Sequence, residues 1–155
     1  MTDRSAPYPV REVQPGDRPE WVRMRHALWP HHSVEEHQAD VAVMPGEHNP
    51  DLAAVFVAPR AEGRLCGFLE MSVRSYAEGC DGPTPYVEAW YTDEDVRGTG
   101  VGAALVAAAE AWAAARGFRE MASDALLDNV GSHRAHRALG FQEVERSVHF
   151  RKDIG

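Results

Sequence analysis

The chain has 155 residues, 44% hydrophobic and 26% charged, enough for one domain with a sizeable core and too few for two ordinary domains. Sixteen basic against 24 acidic residues leave a net charge of −8, which opposes a phosphate backbone and excludes nucleic acid as an expected ligand. Cys66 and Cys80 have neither metal-ligand spacing nor the density of a disulfide framework, and no run approaches the ~20 apolar residues of a membrane span. The N-terminus also lacks a signal-peptide pattern, so the expectation is a soluble protein that stays in a reducing cytoplasm.

After a short polar tail, Val10 to Val13 reads as a first strand. Asp17-x-x-Glu20 is a capping-box pattern that opens a helix with Trp21, Met24 and Leu28 on one face. Ser33-x-x-Glu36 repeats the signal for a second helix, expected to stop at Pro45-Gly46. "LAAVFVA" from Leu52, a turn at Arg60 to Gly63 and "LCGFLEMSVRS" from Leu65 read as an antiparallel hairpin, followed by a loop from Tyr76 to Pro85. Tyr86 to Thr92 forms the next strand. The helix after Gly100 places Val101, Leu105, Ala108 and Trp112 on one face and ends at Gly117. Phe118 to Ser123 reads as a strand and Asn129 to Leu139 as a shorter helix. "FQEVERSVHF" closes as a strand with Val144, Val148 and Phe150 on one side. The order β-α-α-β-β-β-α-β-α-β is an α+β arrangement with a mixed central sheet flanked by helices, in a single domain over 1–155.

The most informative stretch is "YVEAWYTDEDVRGTGVG", Tyr86 to Gly102. A strand runs through an acidic turn into Arg97-x-x-Gly100-x-Gly102 and directly into a helix. Glycines there let backbone N–H groups approach an anion, and the helix start adds uncapped amides and a positive dipole end. The dinucleotide-binding and P-loop patterns are both absent. The arrangement resembles the acyl-CoA signature of the GNAT superfamily of N-acetyltransferases. The fold of that superfamily matches the element order over nearly the whole chain. Asn129-x-x-Ser132-x-x-x-His136-x-x-x-Gly140-Phe141 extends the likeness, except that His136 stands where the family usually has the tyrosine that serves as general acid.

Within the superfamily, "ALW", "GFLEMSVRSYAEG", "VEAWYTDEDVRGTGVG" and "ASDALLDNVGSHRAHRALGFQEVE" resemble the chromosomal aminoglycoside 6′-N-acetyltransferases. The resemblance implies transfer of acetyl from acetyl-CoA to the 6′-amine of an aminoglycoside, and a homodimer. By matching position, Trp29, Tyr76, Glu88, Asp124 and Glu145 correspond to that family's aminoglycoside contacts. Trp90, Tyr91, Thr92, the turn Gly98, Thr99, Gly100, Val101, Gly102, Ala103, and Asn129 correspond to its acetyl-CoA contacts.

An alkylamine with an ordinary pKa of about 10.4 arrives as ammonium and must lose a proton before attacking a thioester. Glu88, expected on the face shared with Trp90, is the candidate base; a surface carboxylate on a half-exposed strand is the plainer alternative. Asp124 at a strand end is a second acceptor-site acid or merely a turn cap. His136 can protonate the departing thiolate or only pack, and Arg97 can hold phosphate or only support its turn. The histidine-rich "HHSVEEH" lacks metalloenzyme spacing, so no metal is expected. Two other functions remain open on the residues alone: acetylation of another small amine such as a polyamine, and acyl-CoA sensing without turnover.

Overall fold

The computed structural model describes residues 8–155; the expected polar tail before them lies outside. The elements are β1 (Arg11–Glu12), α1 (Arg18–Leu28), α2 (Val34–Asp40), β2 (Ala54–Pro59), β3 (Leu65–Arg74), β4 (Thr84–Thr92), α3 (Val101–Ala115), β5 (Ala122–Ser123) and α4 (Val130–Ala138). The strands form one sheet in the order β1-β2-β3-β4-β5, antiparallel throughout except for parallel β4–β5. Direct connections set the antiparallel β2–β3 and β3–β4 pairs, α1 and α2 lie between the antiparallel β1 and β2, and the α3 crossover makes β5 parallel to β4.

Two apolar layers cover the sheet. Trp21 and Met24 of α1 pack with Val55, Val57, Phe68 and Ala89 on one face. Leu105, Val106 and Ala109 of α3 pack with Phe56, Leu69, Met71 and Val87 on the other, where Leu139 and Phe141 from the end of α4 also lie. Residues of the two faces alternate along β2 and along β3 from Gly67 onward, as period-two strands require, with the register irregularity at Cys66 interrupting the pattern. Gly67 brings α3 this close: a Cβ there would sit 3.0 Å from the Tyr91 carbonyl and 3.1 Å from Leu105 Cδ1.

Several expectations need correction. Asp17 does not cap α1 with its side chain; its carboxylate accepts from the Gln14 amide at 2.7 Å and pairs with Arg11, closing the turn before the helix. Glu20 instead accepts from Arg23 and from the Leu65 amide, tying α1 to β3. Ser33 does cap α2 through Glu36 N at 3.1 Å, but α2 ends at Asp40, short of Pro45. The fifth strand is two residues long rather than six, because only Ala122 and Ser123 find partners on β4. The expected final strand does not form within the chain: beyond Phe141 no residue joins the sheet, and Val144, Val148 and Phe150 are exposed.

Candidate functional site

β4 pairs with β5 only at Tyr86↔Ala122 and Val87↔Ser123. From Glu88 to Thr92 that edge of β4 has no ladder partner, so the strands part and a notch opens in the sheet. The segment runs on through Asp93 and a 3₁₀ turn at Glu94–Val96 into the glycine turn. Gly98 and Gly100 adopt φ of 78° and 96°, and nothing lies within 4 Å of where their Cβ atoms would be. Both the backbone conformation and the open space are what an anion cradle needs. Helix α3 starts at Val101 with no side-chain cap, which leaves its first-turn amides, Val101 to Ala103, free to donate outward. The residues present therefore fit a pyrophosphate. Arg97 Nε donates to the Thr92 carbonyl at 3.2 Å, bracing the turn.

Trp90 points to the α3 face, where its Nε1 donates to the Gly102 carbonyl at 3.2 Å. Glu88 does not share that face, contrary to expectation. The β3–β4 register jumps from Glu70↔Ala89 to Met71↔Val87, so Glu88 is the extra residue of a β-bulge and the alternation inverts across it. Its carboxylate reaches Ser72 Oγ at 2.6 Å and Arg74 at 2.8 Å from both Nε and Nη2, on the α1–α2 face. Burial pushes the Glu88 carboxyl up, but the Arg74 and Ser72 hydrogen bonds and the Arg74 charge outweigh it and hold the group below the usual range. A carboxylate so held is a good ion-pair acceptor and a weak base.

The same guanidinium lies 3.5 Å over the Tyr86 ring, and Tyr86 Oη donates to Asp124 Oδ2 at 2.6 Å. Glu88, Arg74, Tyr86 and Asp124 thus form one connected cluster at the notch. Burial and the adjacent Asp124 push the Tyr86 phenol well above its ordinary range, so it stays a donor to that carboxylate. Sequence reasoning named the two acids and missed Arg74, Tyr86 and Ser72. The available signal was the period-two series Glu70, Ser72, Arg74 along β3, a polar stripe opposite β4.

Trp29 caps the C-terminal end of α1 and is half-buried, stacked on His37 with ring centroids 6.4 Å apart and with Arg25 5.0 Å from its face. Tyr76 is exposed on the β3–β4 loop, and Glu145 is exposed on the C-terminal segment; neither hydrogen-bonds to the cluster. His136 of α4 sits edge-on to Trp90 and Phe141 at 5.1 Å each. Its Nδ1 lies 2.7 Å from the Ser132 carbonyl, which can only accept, so the proton is on Nδ1 and Nε2 accepts from Ser123 Oγ at 2.7 Å. Both nitrogens are engaged. Asn129 caps α4 through Oδ1 to Ser132 N at 3.1 Å, which leaves its Nδ2 free to donate.

A split sheet, a bulged acidic strand and a glycine turn feeding an uncapped helix define an acetyltransferase architecture, and the chain belongs to the acetyltransferase (GNAT) family, which it matches over residues 20–141. Among its relatives is an aminoglycoside N(6′)-acetyltransferase type 1 from Klebsiella aerogenes, 43% identical over 94% of this chain and 96% of that protein. Another, from Stenotrophomonas maltophilia and of the same description, is 40% identical over 97% of this chain and 95% of its own length. The solved structure of AAC(6′)-Iy with a bisubstrate analogue, CoA-S-monomethyl-acetylneamine, superposes with a TM-score of 0.83 at 35% identity, covering 94% of this chain and 98% of that one.

Proposed function

We infer that the chain, acting as one domain over residues 1–155, is an aminoglycoside 6′-N-acetyltransferase that takes acetyl from acetyl-CoA and so confers antibiotic resistance. The observation that carries this is the placement of the Glu88–Arg74–Tyr86–Asp124 cluster beside the notch that leads to the glycine turn. An acidic, aromatic cluster suits a polycationic sugar. A relative that binds an aminoglycoside joined to CoA supports placing acceptor and donor in this one groove.

In this reading the turn from Gly98 to Ala103 holds the pyrophosphate, and the free edge of Trp90, Tyr91 and Thr92 with Asn129 orients the rest of the donor. Glu88 and Asp124 receive ammonium groups, with Trp29, Tyr76 and Glu145 at the rim. The 6′-nitrogen, having lost one proton to water, attacks the thioester carbon. A C–N bond forms, the C–S bond breaks and the thiolate leaves, while the nitrogen gives up its second proton to water and the thiolate takes up one. A thiol with a pKa near ~8.5 needs little help to depart. His136, in contact with Ser123 Oγ at 2.7 Å, is the candidate donor of the proton the thiolate takes up. Most of the acceleration comes from holding amine and thioester together.

The free thiols of Cys66 and Cys80 fit a cytoplasmic enzyme. A homodimer completes the proposal, supported by the apolar residues that the C-terminal segment leaves exposed. Thiol release from acetyl-CoA, followed with kanamycin, spermidine and a peptide as acceptors, tests the substrate class. Turnover is expected with kanamycin; turnover on spermidine alone would move the assignment to polyamines, and none on any amine would leave an acyl-CoA sensor.

A further inference from the structure

The surroundings of Glu88 limit how its carboxylate can meet an amine. A carboxylate offers about four acceptor positions. Ser72 Oγ and Arg74 Nε take two on Oε1, and Arg74 Nη2 takes one on Oε2. One position on Oε2 is left. Arg74 cannot slide away freely, because its other side lies against the Tyr86 ring, and Tyr86 is buried and tied to Asp124. The bulge puts Glu88 within reach of this fork.

We propose that Arg74 is the positioning residue of the acceptor site, fixing Glu88 between itself and the bulged strand so that a single acceptor position faces the incoming ammonium. The inference rests on the aminoglycoside reading for its substrate and extends it in mechanism. Glu88 binds the amine as an anion and leaves deprotonation to solvent. Arg74 also trims the field of the site, since two carboxylates and one guanidinium leave a net charge of −1 where the acids alone would give −2. The cluster attracts a cation without gripping any amine in any orientation.

These two effects have opposite signs for a polycation, which gives a diagnostic split. In Arg74→Met the site becomes more anionic while Glu88 loses its fixed orientation, so kcat for kanamycin falls about tenfold and its KM stays level or drops. Arg74→Lys restores the charge without the fork; KM returns to the wild-type value and kcat stays low. In a Glu88→Gln background, Arg74→Met costs less than about twofold further in kcat, because the residue acts through Glu88. The groups that touch Glu88 are Arg74 and Ser72 from β3; Tyr86 and Asp124 join the cluster through Arg74, which is the cation among them. Removing it lets the carboxyl protonate at higher pH, so the acid limb of the kcat profile moves upward in Arg74→Met and back in Arg74→Lys.

The KM for acetyl-CoA reports folding of the donor half and is expected within about twofold of wild type throughout. An Arg74→Met loss that persists in full in Glu88→Gln, or a raised kanamycin KM with unchanged kcat, overturns the proposal. Should Arg74→Met not fold, Ser72→Ala removes one Oε1 donor without a charge change and is read in the same cycle, where a loss independent of Glu88 overturns it equally. The cycle uses kanamycin if the wild type acetylates it and spermidine if it does not, so an error in substrate class and an error about Arg74 give different results.

Discussion

Glu70 sits in the interior of the sheet, 2% exposed, with Trp21 Nε1 donating to Oε2 at 2.8 Å and Arg25 Nη1 to Oε1 at 2.6 Å. Burial pushes its carboxyl up, while Arg25 and Trp21 pull against that shift. Arg25 goes on to Asp40 at 2.9 Å, meets His37 Nδ1 at 3.4 Å and lies over Trp29, so the pair links α1, α2 and β3. Desolvating two ions offsets much of their attraction, and the net worth of such a pair is small. Breaking it is another matter. Glu70→Ala leaves a buried guanidinium with only the half-exposed Asp40 as counter-ion and is expected to cost about 3–5 kcal/mol in urea unfolding. The joint replacement Arg25→Met with Glu70→Leu removes both charges and should recover most of that loss. A double variant no more stable than Glu70→Ala would show that the cluster holds the fold by specific geometry rather than by charge balance.

Helix α3 does two jobs through its two ends of sequence: Val101, Leu105 and Ala109 pack on the sheet, and the turn before Val101 presents amides. These jobs separate by mutation. Gly100→Val forces a β-branched residue into φ of 96° and is expected to lower acetyl-CoA affinity by a hundredfold or more, on the order of 3 kcal/mol. Arg97→Ala removes only the brace to Thr92 and should cost a few-fold, about 1 kcal/mol. Calorimetric titration with CoA checks both, and equal mild effects would sink the phosphate-turn assignment. This turn was legible in the sequence because the glycines and the helix start are contiguous there, and the same holds for the β2–β3 hairpin and α3. Glu88 shows what was not legible. A one-residue bulge inverts its face, and the bulge comes from register with β3 rather than from any residue of β4. The fork of Arg74 on Glu88 escaped for the same reason, since residues 14 apart meet only through that register. Strand β5 and the final segment failed differently: alternation marks a chain able to pair and says nothing of which edge it pairs with.

At the scale of the whole molecule, the apolar surface is unbalanced. Val144, Val148, Phe150 and Ile154 are 61%, 69%, 92% and 90% exposed, and burying side chains of this size is worth about 1.5–3 kcal/mol each. Within the described residues Gly79 packs against Val144, and all four side chains still keep most of their surface open. Meanwhile β5 is the last strand of the sheet, paired on one side only. An alternating segment without an edge and an edge without a neighbour fit each other when they come from different copies, which is the arrangement by which two chains exchange a terminal strand. The proposed homodimer then buries the Val144, Val148 and Phe150 side and supplies the backbone of residues 142–150 with ladder partners. Light scattering on the eluted protein is expected to give twice the 17.1 kDa chain mass. Val148→Asp with Phe150→Asp places two charges on the face to be buried and should shift the population to monomer, while acetyl-CoA binding, proposed to rest on the turn at Gly98 to Ala103, is expected to persist. A wild-type monomer at micromolar concentration would reject strand exchange, as would a doubly substituted chain that still elutes as a dimer.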